Sequence, residues 1–144
     1  MSQTRIPKTA ESILPFCRPW HARRSNVCFE SYAEMMIFAA SLGFYYGRKR
    51  PVLTSKDYLL QPNPISVDVY KGSQMRLFPN LLLLALAEKM EKSVSKDDKE
   101  ICNIVEDYSH LGFLRLDKLL SNSSPDEFHI DVARLIIETK NQKI

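Results

Sequence analysis

The 144-residue sequence is short of several things, and each shortage narrows its chemistry. It has four glycines, at 43, 47, 72 and 112. None sits in a GxGxxG or Walker spacing, so the backbone cradle that nucleotide phosphates require is missing and nucleotide hydrolysis is disfavoured. The three cysteines, Cys17, Cys28 and Cys102, are too few and the wrong parity for a disulfide framework. The opening MSQTRIPKTAESILPFCRPW is interrupted by charge and does not resemble a secretory signal, which favours reduced thiols and a cytoplasmic protein. Cys17, His21 and Cys28 lack a close CxxC pair and a fourth ligand, so no metal is expected. Uncharged runs such as Met35 to Tyr46 and Leu81 to Ala87 fall well below the roughly 20 apolar residues of a membrane span. His21, His110 and His129 stand in no HExxH, HxE or nucleophile-elbow context. Asp97-Asp98-Lys99 and Glu138-Thr139-Lys140 read as helix-compatible surface charge rather than as nuclease ligands. The expectation is a protein with no catalytic residue, no metal and no cofactor.

What is present is an ordinary globular composition, 44% hydrophobic and 26% charged, long enough for one domain. Apolar residues at 29, 32, 35, 36, 39, 40 and 42 mark a helix, with Gly43 placed as its left-handed stop. Prolines 51, 62, 64 and 79 break the stretch that follows. Within it, Ile65, Val67 and Val69 suit a brief strand or a single helical turn equally well. PNLLLLALAEKMEK, from Pro79, predicts a central helix; Ser95 and Asp98 open another that ends at Gly112; Phe113 to Leu120 forms a short one. Ser124, Pro125 and Glu127 cap a last helix with Phe128, Val132, Leu135 and Ile136 on its buried face. Thr9 to Phe16 can add a short helix with Ile13, Leu14 and Phe16 inward. The expected fold is all-α: a compact single helical domain of about five helices over residues 27–144, preceded by a basic, partly irregular N-terminal arm over 1–26.

The charge is uneven. Residues 1–50 hold eight basic and three acidic side chains, a balance of +5, and the remainder carries −2, giving the net +3. Arg23, Arg24, Arg48, Lys49 and Arg50 are the candidate phosphate contacts, since guanidinium groups fork onto phosphate oxygens and clustered cations release counterions. Equally, residues 48 to 50 suit a solvated cap on the carbonyl end of the preceding helix. Tyr45 and Tyr46 beside them are open to base stacking or to core and interface packing. Phe44, Tyr45, Tyr46 and Phe78 are the candidate anchors for a protein partner.

The run FESYAEMMIFAASLGFYYGRKRPV, from Phe29, resembles the signature of the DNA phosphorothioation-associated (Dnd system-associated) protein 4 family. The resemblance continues through PISVDVYKG, the Leu/Ala segment at 81 to 88, and Glu106, Asp107, Tyr108 and Gly112 ahead of FLRLDKLL, covering about residues 29 to 120. It implies a small accessory protein of bacterial phosphorothioate modification and restriction systems, which tell modified self DNA from phage DNA, and it implies no enzyme and no active-site residues. Two functions follow as expectations: a double-stranded-DNA-binding accessory module, or an adaptor docking on another subunit of the same defence system. A homodimer spanning two half-sites is compatible with either, although no heptad repeat marks one.

Overall fold

The computed structural model describes residues 2–20, 28–46, 53–72, 98–122 and 127–141. The Leu/Ala helix expected from Pro79 and the capping residues Ser95, Ser124 and Pro125 lie outside these residues.

Helix α1 spans Tyr32–Tyr46. Ser31 caps it, its Oγ accepting from the backbone N–H of Glu34 at 3.1 Å, which satisfies one of the donors a helix start leaves open. Ala33, Met35, Met36, Ile37, Ala39, Ala40, Leu42 and Gly43 are buried, a wider arc than the expected single stripe, as befits a helix covered on several sides. Gly43 does not end it. The helix runs on to Tyr46, and no glycine among the described residues has a positive φ.

Helix α2, Val67–Lys71, begins directly after strand β2, Ile65–Ser66, so the strand and the helical turn that sequence left open both occur in succession. Ser66 supplies the cap, accepting from Asp68 N–H at 3.3 Å. Strand β2 pairs antiparallel with β1, Gln3–Thr4, in the register Gln3 with Ser66 and Thr4 with Ile65. The fold is therefore mainly helical but not purely all-α.

Helix α3, Asp98–Ser121, merges the two helices expected on either side of Gly112. Ile101, Ile104, Val105, Tyr108, Phe113 and Leu116 form its buried face. The merging has a packing cause. A Cβ on Gly112 would lie 1.8 Å from the carbonyl oxygen of Ala39, and one on Gly43 would lie 1.9 Å from that of Tyr108. These two glycines let the backbones of α1 and α3 touch, and this contact offsets the roughly 1 kcal/mol that glycine costs inside a helix. As numbers rise along α1 the contacts fall along α3, so the two helices run antiparallel. Helix α4, Phe128–Asn141, buries Phe128, Val132 and Leu135. Four α-helices are thus seen among the described residues, against the five expected for the chain.

The leading segment packs into the core. Two 3-10 turns, Lys8–Ala10 and Leu14–Phe16, bury Ala10, Leu14 and Phe16, and Ile6, Ile13 and Cys17 join the same cluster as α1 and α3. The Phe16 ring lies 4.5 Å from that of Phe128, tying this segment to α4. Thr4 shares a 2.6 Å hydrogen bond with the buried Tyr70 hydroxyl, tying it to α2.

Candidate nucleic-acid interface

The candidate phosphate contacts Arg23, Arg24, Arg48, Lys49 and Arg50, and the candidate anchor Phe78, lie outside the described residues. Their points of attachment are defined. Arg23 and Arg24 fall in sequence between Trp20 and Cys28, and the residues flanking them are joined by the bonds Cys28 N to Phe16 O and Arg18 N to Phe29 O, each 2.9 Å. This junction precedes the first turn of α1. Residues 48 to 50 follow shortly after Tyr46, the last residue of α1. Between the two runs in sequence lie the fifteen residues of α1, about 22 Å long at 1.5 Å per residue.

The aromatic exit of α1 divides by role. Phe44 packs on the core, edge to face with Tyr108 at 5.2 Å between ring centroids. Tyr45 meets Tyr46 edge-on at 4.8 Å. Tyr46 is half-buried, and the Arg115 guanidinium of α3 lies 3.8 Å above its ring centroid. Arg115 carries no signal in the sequence because nothing local to it announces the neighbouring helix.

A second arrangement escaped the sequence reading altogether. Glu106 on α3 is almost fully buried, and Arg5, more than a hundred positions earlier, closes over it. Glu106 Oε2 accepts from the Arg5 backbone N–H at 2.6 Å and from Nε at 2.9 Å, and Oε1 accepts from Nη2 at 3.0 Å. The Tyr58 hydroxyl donates to Oε1 at 3.4 Å, and its ring underlies the guanidinium at 3.9 Å. The hydrogen bond to Glu106 raises the Arg5 pKa further, and burial followed by the charge of Glu106 pushes the Tyr58 phenol up. With both oxygens occupied, Glu106 has no lone pair aimed at a substrate and serves as an internal staple.

Other titratable groups are similarly committed. Arg18 meets Glu30 at 3.4 Å on the surface. Burial pushes the Cys17 thiol up to about 12, which keeps it protonated and unreactive at neutral pH, with its S–H directed at Met35 Sδ at 3.4 Å. His110 lies 3.2 Å from Thr9 Oγ1 through Nδ1; burial lowers its pKa, and the nearby Asp57 charge opposes that shift. Among the described residues no group of three His, Cys, Asp or Glu side chains is placed to hold a metal ion, and no helix is long and apolar enough to cross a membrane.

A family model described as DNA sulphur modification system-associated protein 4 matches residues 4–143. The match is wider than the 29–120 stretch of sequence resemblance and includes the leading segment that packs into the core. No curated protein and no solved structure matches the chain.

Proposed function

The chain belongs to the DNA sulphur modification system-associated protein 4 family, and from that membership we propose that it is a non-catalytic accessory of a bacterial phosphorothioation-linked restriction and phage-defence system that binds double-stranded DNA through Arg23, Arg24, Arg48, Lys49 and Arg50. The observation that carries this reading is the attachment of both basic segments to opposite ends of α1, a helix clamped against α3 by backbone contact at Gly43 and Gly112. The length of α1, about 22 Å, matches roughly six base pairs of duplex at 3.4 Å per step. The saturated Glu106 carboxylate supports a binding role over a chemical one. The test is a gel-shift titration of modified and unmodified duplexes at two salt concentrations. Binding that weakens steeply with salt, and that weakens further when residues 48 to 50 become alanine, supports the proposal. Affinity indifferent to those substitutions removes it.

A second reading has its own observation. Arg5 and Arg18 are already paired with Glu106 and Glu30, while Leu60 is 90% exposed and Trp20 52% exposed. Those apolar surfaces, with Tyr45 and Tyr46, suit an adaptor docking on a larger subunit of the same system. Co-purification with the neighbouring system components after nuclease treatment favours it, and recovery of no component under those conditions counts against it.

A further inference from the structure

Among the described residues, two arginines lie over tyrosine rings, and they differ in one respect. Arg5 lies 3.9 Å above Tyr58 and Arg115 lies 3.8 Å above Tyr46. Arg5 has its in-plane N–H edge filled by the Glu106 carboxylate. Arg115 is exposed, and none of the described residues offers its N–H edge a hydrogen bond or an ion pair. Arg134, by contrast, is drawn to Asp131 at 3.7 Å.

A guanidinium seated over a ring meets it through its cationic centre and keeps N–H donors that can take a carboxylate or a phosphate bidentately. The ring also restricts the side chain in advance, which lowers the ordering cost of binding. The placement follows from the fold. Tyr46 and Arg115 each stand three residues beyond a contact glycine, Gly43 and Gly112, and side chains on a helix lean back over the preceding turn, so both converge on the crossing. Tyr46 is followed directly by Gly47-Arg48-Lys49-Arg50, and Lys118 is exposed one turn further along α3.

We infer that Arg115, held by Tyr46, is a DNA-backbone contact on α3. This rests on the DNA-binding reading above. The experiment is fluorescence-anisotropy titration of a labelled duplex across a salt series, with the full chain, Arg115→Ala, Arg115→Lys and the triple variant Arg48→Ala, Lys49→Ala, Arg50→Ala. Loss of one phosphate contact in Arg115→Ala lowers affinity about fivefold to tenfold and reduces the salt slope by about one. Arg115→Lys keeps the slope but recovers only part of the affinity, because an ammonium neither stacks nor forks as arginine does. Salt-dependent binding by the full chain and by Arg115→Ala alike overturns this inference and leaves the DNA-binding reading standing. Absence of salt-dependent binding by the full chain overturns both. Equal melting temperatures for the full chain and Arg115→Ala exclude misfolding as the cause of a loss.

Discussion

Glu106 shows how much one residue can organise when its partners are complete. Its side chain is 2% exposed and would be costly to bury as an ion; the Arg5 guanidinium, the Arg5 backbone N–H and the Tyr58 hydroxyl together make burial tolerable. Arg5→Ala strands the carboxylate, and urea denaturation should register a loss of about 2–4 kcal/mol. Adding Glu106→Gln to that variant should recover part of the loss, since a neutral amide costs less to bury. A loss no larger for Arg5→Ala than for an ordinary surface substitution would show that the staple is incidental. His110 supplies a pH dependence. Its folded pKa is lowered by burial, so the unfolded chain binds more protons in the window below the ordinary imidazole value of 6.5. Its contribution is therefore complete above that value and is lost as pH falls towards the folded pKa. Melting temperatures measured between about pH 7.5 and pH 5.5 should fall less steeply for His110→Gln than for the unaltered chain.

At the level of elements, the decisive pair is α1 and α3. Sequence reading placed both correctly by their apolar spacing, and it identified Ile101, Ile104, Val105 and Tyr108 as one face, all of them buried. It ended both helices at a glycine, and there it failed. A glycine near a helix terminus and a glycine at a helix crossing are the same letter; only the second helix distinguishes them. Gly112→Ala directs a methyl into the Ala39 carbonyl, which is backbone and cannot swing away, so the helices must part. The expected cost is about 3 kcal/mol or more, seen as a fall of roughly 10 °C in thermal melting. A melting temperature unchanged by the substitution would mean that the helices do not approach this closely.

For the whole molecule, the question is what holds the leading segment. Sequence suggested a basic, partly irregular arm with Ile13, Leu14 and Phe16 turned inward; these three are buried with α1 and α3, Ile6, Ala10 and Cys17 join them, and Gln3 and Thr4 pair with Ser66 and Ile65. Deleting residues 2–10 should abolish a cooperative thermal transition in circular dichroism, because it removes a strand, the Arg5 staple and two core residues at once; a truncated chain that melts like the full one would show that these contacts do not hold the fold. The sequence alone determined the helical character, the buried stripe along α3, Phe128, Val132 and Leu135 on α4 (Ile136's side chain lies outside the described ones), and the family, since helical periodicity and a contiguous signature are written within a few neighbouring residues. The tertiary structure alone decided that Gly43 and Gly112 join helices, that Arg5 is held by a carboxylate, and that Arg115 lies open beside Tyr46. Those outcomes depend on contacts between segments far apart in the chain, and such contacts leave no local period or composition to read.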